Sequence, residues 1–436
     1  MTSPARRWFP TLLLGLLLPL LAVPPAHAEP SAPGSIEGYG FDACVAPDQA
    51  TMDAWNLYSP YSAVGIYVSG NSRYCHDAYQ RNLSRTWVAK NASHGWRFLP
   101  IHVGYQAPCF SNNPKSRVQK KKMSTSWTKA REQARSDAAE NIAALKKYGF
   151  GAGSVGYLDI EWYSRSNKTC NDAVLRFIDE WTIRLHEAGY KSGLYSSASA
   201  AIQSVDAVRS ASWFHAPDQL WLAWGNKKAD TDGGPYLRDD GWAKHQRVHQ
   251  YHLDVAATHG GKRLVIDKNY LDTGHGSRAS KDPQPCGVKM SFTAYPDLKV
   301  GSRGPEVAAL ECLLRQQTGQ KTVNTYFGTQ TRDNLDAFRK RLGWSPIGRT
   351  TPKTWTALLS AEKSPRVLKR GSVGSHVWRL QRSLVAAGYG SVLTGVFDAR
   401  TESAVRSYRS AVKQPAYPTA ESTLWAKLRR GSAARS

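Results

Sequence analysis

The sequence predicts an α/β protein: a (β/α)8 TIM-type barrel over residues 36–274, followed by two small all-α three-helix modules. Three observations lead there. β-type runs alternate with helical stretches through the first two thirds of the chain. A pattern with a 70-residue period follows a Pro-rich interruption. The length of 436 residues exceeds one core, since a domain averages about 150 residues.

Composition narrows the class. With 41% hydrophobic residues, 15 Trp and 20 Tyr, the chain can fill sizeable cores or line aromatic clefts, which argues against intrinsic disorder. Its 35 Gly and 23 Pro are too few and scattered for collagen or a low-complexity polymer.

Residues 1–28 read as a signal peptide. Arg6 and Arg7 are its positive end, residues 11–23 its apolar run, and Ala26-His27-Ala28 its small-residue cleavage site, leaving Glu29 as the new N-terminus. The apolar run is short for a membrane span and contains Pro19, which disfavours the alternative of an anchor. Arg6-Arg7-Trp8-Phe9 also fits the twin-arginine export pattern, although paired Arg is common in ordinary leaders. No later stretch reaches about 18 apolar residues. The expectation is a mature chain without a transmembrane segment, secreted, extracellular or cell-wall-associated, and monomeric.

Six cysteines, Cys44, Cys75, Cys109, Cys170, Cys286 and Cys312, fit disulfides in an exported chain. Sequence neighbours are the expected partners. No CxxC or CxxH spacing points to structural zinc, and no metal or cofactor is expected.

The barrel strands are expected at 38–44, 63–69, 96–105, 154–162, 190–196, 220–225, 247–253 and 263–270. Helical patterns at 126–148 and 171–188 lie between them, the second stopping at Gly189. A doubly wound sheet is the alternative, but no Gly-rich phosphate loop follows the first strand. Residues 275–296 read as a linker, with Pro283, Pro285 and Pro296 and no apolar periodicity.

Residues 297–361 and 367–431 are two copies of one module. Leu298-Lys299-x-Gly301-Ser302-x-Gly304 matches Leu368-Lys369-x-Gly371-Ser372-x-Gly374, and Val307, Leu310, Phe327, Phe338, Trp355 and Leu358 match Val377, Leu380, Phe397, Tyr408, Trp425 and Leu428 without a net gap. Of the net charge of +24, residues 287–436 carry +16. Such a field favours anionic partners. With export, these are peptidoglycan or another anionic cell-wall glycan, and no nucleic acid is expected.

The sharpest chemical motif is Tyr157-Leu158-Asp159-Ile160-Glu161-Trp162. On a strand, Asp159 and Glu161 project to one face, their Cα atoms about 7 Å apart. At the C-terminal rim of a barrel, mutual repulsion and burial would keep one carboxyl protonated beside an ionised partner, the arrangement glycoside cleavage uses. The alternative is a pair of solvated carboxylates on an edge strand. Asp42 ends the first strand and Asp267 the last, and a closed barrel makes those strands neighbours. Each alone is also a reasonable helix cap or turn residue. Gln250 and Tyr251 end the seventh strand, and Trp221 and Trp224 the sixth. Exposed aromatic faces suit sugars, whereas for each Trp taken alone core filling is the commoner role.

These motifs resemble the family-25 glycoside hydrolases, lysozyme-type muramidases with an irregular barrel: Gly40-Phe41-Asp42, Asp159-Ile160-Glu161, Trp221-Leu222-Ala223, Gln250-Tyr251 and Asp267-Lys268-Asn269 come in order. The likeness is closer to the bacterial glycoside-hydrolase-like family called domain of unknown function 1906, through Gly65-Ile66-Tyr67-Val68-Ser69-Gly70, residues 100–106, Tyr157 to Glu161, residues 189–196 and His249-Gln250-Tyr251. It covers residues 38–272. The resemblance implies Glu161 as general acid of a retaining hydrolase. Asp159 would stabilise positive charge or orient a substrate 2-acetamido nucleophile. Asp42 and Asp267 would complete the carboxylate ring, and Tyr195, Gln250 and Asn269 would supply hydrogen bonds.

The repeats resemble the three-helix peptidoglycan-binding module of wall hydrolases. Copy two departs at Asp398, where Gly is usual, and copy one through the constraint at Cys312. The expected function is an exported, wall-associated glycoside hydrolase acting on peptidoglycan or a related glycan and targeted by the two modules. The alternatives are a non-catalytic glycan-binding or wall-scaffold protein with the same barrel, and a hydrolase for another extracellular glycan. The Lys120-Lys121-Lys122 run reads as a solvated face or loop, and His102 and His215 receive no role.

Overall fold

A computed structural model describes residues 31–115, 119–363, 367–390 and 392–435. The expected signal peptide and its cleavage site lie outside the described residues. Eight strands close into one barrel in sequence order: β1 (Ile36–Asp42), β2 (Tyr61–Ser69), β3 (Arg97–His102), β4 (Val155–Ile160), β5 (Lys191–Ser197), β6 (Gln219–Ala223), β7 (Gln246–His259) and β8 (Lys262–Thr273). Between them run α1 (Gln49–Tyr58), α2 (Arg85–Ser93), α3 (Trp127–Tyr148), α4 (Lys168–Glu187) and the short α5 (Gln203–Val208).

Local signals set these helices. The Asp48 carboxylate accepts from the Thr51 N–H and starts α1. Ser84 caps α2 in the same way, and Asn167 caps α4. The capped start of α4 lies three residues before the expected one, because the cap rather than the apolar stripe decides where the first turn forms.

Two apolar layers hold the barrel. One lies inside it, with Leu99, Ile101, Tyr157, Trp221, Val248 and Leu271 packed together. The other lies between sheet and helices, centred on residues such as Trp55, Phe98, Phe177 and Trp181.

The barrel departs from the regular alternation at its end. β8 runs antiparallel to both β7 and β1. The reason is local. Gly260 and Gly261 both take positive φ and join β7 to β8 in a tight hairpin. A parallel return needs a crossover of a dozen residues or more, and the chain has too few here. That spacing, with its Gly-Gly pair, was readable in the sequence.

The helical region forms two units. α6 (Pro305–Thr318), α7 (Thr329–Arg341) and α8 (Pro352–Leu359) make the first, and α9 (Ser375–Ala386), α10 (Ala399–Ala411) and α11 (Ser422–Arg429) the second. Trp355 and Trp425 are each fully buried at equivalent places in their cores. The expected linker is shorter than 275–296, because Met290, Phe292 and Tyr295 pack into the first helical core. The Cys286–Cys312 disulfide ties that segment to α6.

The second unit docks on the end of the barrel opposite the C-terminal rim. Lys369 Nζ donates to the Asn56 and Tyr61 carbonyls at 3.0 and 2.6 Å and lies over the Trp96 ring. Ser62 Oγ donates to the Arg370 carbonyl, and Thr419 Oγ1 to that of Leu57. None of the described helices is long and apolar enough to cross a membrane.

Candidate active site

At the C-terminal ends of β1 and β4, a cavity of about 340 Å³ opens on the barrel rim. Asp42, Asp159, Glu161 and Asp267 all line it, as do Tyr67, Tyr74, Lys120 and Asp254. Asp42 is the last residue of β1. Asp159 is the penultimate residue of β4, and Glu161 follows the strand. Asp267 arrives by a different route from the expected one. It stands in the middle of antiparallel β8, paired in register with Asp42.

Beneath the carboxyls is a polar floor. Asn269 Nδ2 donates to Asp42 Oδ1 at 2.6 Å, and Trp221 Nε1 donates to Asn269 Oδ1 at 2.8 Å. Gln250 Nε2 donates to the Tyr195 hydroxyl at 2.7 Å, to Asp267 Oδ2 at 3.2 Å and to Asp42 Oδ1 at 3.3 Å. Tyr67 OH donates weakly to Asp42 Oδ2 at 3.5 Å. The Asp254 N–H donates to Asp267 Oδ1. Gln106 holds the acidic turn from behind: its amide donates to the Asp159 carbonyl and accepts from the Glu161 N–H, each at 2.8 Å.

Burial dominates the electrostatics. It pushes Asp42 up to about 7, with the neighbouring Asp267 adding to the rise and the bonds from Asn269, Gln250 and Tyr67 opposing it. Asp159 is raised well above the carboxylate range by burial and then by Glu161, against the opposing field of Lys120. Burial also raises Asp267. Burial thus favours the neutral form at Asp42 and Asp159, while the more open Glu161 forms an ion pair with Lys120. Carboxyls of differing proton affinity around one cavity are suited to acid catalysis at a glycosidic oxygen.

Several expectations need correction. Trp221 is fully buried, stacked on Tyr195 with centroids 4.3 Å apart, so it fills the barrel and offers no sugar platform. Trp224 lies outside the cavity, stacked on buried His249 and edge-on to Tyr236. Tyr251 also misses the cavity, because successive strand residues face opposite sides and Gln250 takes the inner one. Lys120 is no solvated bystander, since it faces Glu161 across the mouth. Asn269, Gln250 and Tyr195 lie beneath the cavity and outside its lining, where they hydrogen-bond to Asp42, Asp267 and one another instead of facing a substrate.

Sequence reasoning missed Tyr74, Lys120, Asp254 and the clamp made by Gln106. Tyr74 is 61% exposed and lines the mouth together with the less exposed Tyr67. Its place, and that of Lys120, depends on loops fastened by Cys44–Cys75 and Cys109–Cys170, which no periodicity encodes. Tyr67 had a signal: it follows Gly65 by two residues on β2 and faces the same side.

His102, Asp137 and Glu140 place ligand-type atoms within 4.8 Å of one another. Backbone N–H groups already use this cluster: Tyr105 donates to Asp137 and Gly70 to Glu140. It fastens the loops after β2 and β3 to α3.

None of the curated proteins matches the chain. Among solved structures, the chain is similar to an uncharacterized protein of B. stearothermophilus, at 15% identity over 54% of this chain and 95% of that one, with a TM-score of 0.33. It is similar to the Clostridium perfringens spore cortex lytic enzyme SleM, at 15% identity over 54% and 67%, with a TM-score of 0.35. The modular Cpl-1 endolysin, complexed with a peptidoglycan analogue, matches at 13% identity over 61% and 66%, with a TM-score of 0.29. Residues 53–271, half of the chain and nearly all of the barrel, match the family described as Rv2525c-like, glycoside hydrolase-like domain, and the chain belongs to that family.

Proposed function

We propose that this chain is an exported, wall-associated glycoside hydrolase that cuts the β-1,4 glycan of peptidoglycan or a related polymer. The observation that carries this reading is the convergence of Asp42, Asp159, Glu161 and Asp267 on one open cavity. Glu161, more accessible than buried Asp42 and Asp159, protonates the leaving oxygen. Asp159 orients a 2-acetamido nucleophile or, once ionised, stabilises the developing positive charge, and Asp42 and Asp267 complete the ring. Tyr74 offers a face to a sugar at the rim. A carboxylate held by an ammonium is a poor proton donor, so Lys120 must leave Glu161 as substrate enters. The leader and three disulfides support export. The two helical units, with most of the positive charge, hold the enzyme at the wall.

Purified protein incubated with cell walls is the test. Release of reducing sugar that disappears in Glu161→Gln is the expected result. No release over a range of walls and pH would end the enzymatic reading. The second reading, glycan binding without turnover, is favoured by the Lys120–Glu161 pair, which occupies the proposed acid. Turnover by the parent protein separates the two, and Lys120→Ala tests the pair itself: hydrolysis by this variant where the parent only binds would show that the pair alone blocks turnover.

A further inference from the structure

The barrel and the second helical unit border a second, open cavity, of about 450 Å³, on the side away from the carboxylates. Its lining is cationic. Arg97 from the start of β3, Arg278 from the segment after β8, His94, His275 and Lys369 all contribute, and no Asp or Glu lines it. The Arg97 and Arg278 side chains make no hydrogen bond or ion pair among the described residues. The one acidic contact in the set is outside the lining, where Asp53 faces His94 at 3.1 Å. Lys369 is 5% exposed and bonds two neutral carbonyls, so its charge has no anionic partner.

Arg97, Arg278 and His275 are exposed at the edge of this cavity and Lys369 is buried beside it, so positive charge gathers on one concave surface with no acidic side chain in its lining to offset the field. Burial lowers Lys369 to about 7. An anion seated there meets that positive field. Guanidinium forks match the geometry of phosphate oxygens, and the volume lies in the range of small-molecule sites.

We propose that this cavity is a binding site for a phosphate-bearing anion, held by Arg97 and Arg278 between the barrel and the second helical unit. The ligand is a free phosphate or a phosphodiester link of a polymer. Because both bodies line the cavity, occupancy ties them together and stabilises the folded assembly by mass action. This site is independent of the carboxylate cavity and of any hydrolysis there.

Calorimetric titration of the whole purified protein tests it, with inorganic phosphate and a glycerol-phosphate oligomer as separate probes. The expected result is saturable binding of at least one probe, weakened at least tenfold in Arg97→Gln/Arg278→Gln, with a phosphate-dependent rise in Tm that the double variant lacks. Binding of both probes assigns the polymer link, and binding of inorganic phosphate alone assigns the free anion. Absence of saturable binding by the parent protein overturns the proposal, as does equal binding by parent and variant. Arg278→Gln alone, at an exposed position, provides the same readout if the double variant does not fold.

Discussion

Lys299 and Lys369 hold the same place in two copies of one module, yet Lys299 is exposed while Lys369 is buried in the contact with the barrel. The copies share an interior: Leu310 and Leu380, Phe327 and Phe397, and Trp355 and Trp425 are all fully buried. They differ at the surface. The turn of the first copy faces open space, whereas that of the second is packed against Asn56, Tyr61 and Glu37. A repeated motif therefore specifies its own core and not the company its surface keeps. A wall-binding role assigned to both copies on the shared pattern has a free turn in only one of them.

The largest test of this contrast is at the paired glycines. Both take positive φ, +94° at Gly301 and +87° at Gly371. A Cβ at Gly301 meets nothing within 4 Å, whereas one at Gly371 lies 2.6 Å from the Glu37 carbonyl oxygen. Gly301→Ala is expected to cost about 1–2 kcal/mol for the left-handed backbone alone. Gly371→Ala should cost a further ~1–3 kcal/mol as the contact is forced apart. Chemical denaturation measures both, and equal losses would mean that the two turns share one environment.

Next come the lysines. Lys369→Ala leaves the Asn56 and Tyr61 carbonyls unpaired and is expected to cost about 2 kcal/mol. Lys299→Ala should stay within about 0.5 kcal/mol. The pH dependence sharpens the comparison. Burial lowers Lys369 from 10.5 to about 7, so the unfolded chain binds more protons than the folded one between those values. The stability contributed by this site is lowest below pH 7 and rises with pH through that window. Thermal melts of Lys369→Ala should lack this rise, and those of Lys299→Ala should keep it.

The barrel mouth carries the opposite slope. Asp42 is raised from 3.8 to about 7, so the folded state there binds more protons than the unfolded chain. Its contribution is complete below pH 3.8 and is lost as pH rises through 7. Melts of Asp42→Asn across this range should lack that loss, and an unchanged slope would place the raised affinity elsewhere.

The smallest effect is at the helix starts. Asp398 caps α10 by accepting from the Thr401 N–H at 2.9 Å, while Gly328 starts α7 without a side-chain cap. Asp398→Ala should cost about 1 kcal/mol, and Gly328→Asp should gain only a few tenths. The departure at Asp398 thus has a structural reason within its own helix. Calorimetric melts of the two variants measure the asymmetry.

Much of the site was legible because its acids end strands. Asp42, Asp159 and Glu161 were found from strand-end position and period-two alternation, and all three line the cavity with Asp267. Tyr251 shows alternation applied incompletely, since its neighbour Gln250 already occupied the inner face. Trp221 shows the limit of residue type, because an aromatic at a strand end serves a core as readily as a sugar. Lys120 was hidden because its position depends on where a long disulfide-tethered loop comes to rest.

Taken by itself, the amino-acid sequence determined the barrel class, the two helical copies with their buried Trp residues, and the strand-end carboxyls. Those features follow from local periodicity and fixed spacing, which act over a few residues. Only the tertiary structure decided that Lys120 meets Glu161, that Tyr74 rather than Trp221 stands at the mouth, and that one helical copy borders a cationic cavity against the barrel. Those outcomes depend on contacts between segments far apart in the chain, where packing and loop closure choose among surfaces that local pattern leaves equivalent.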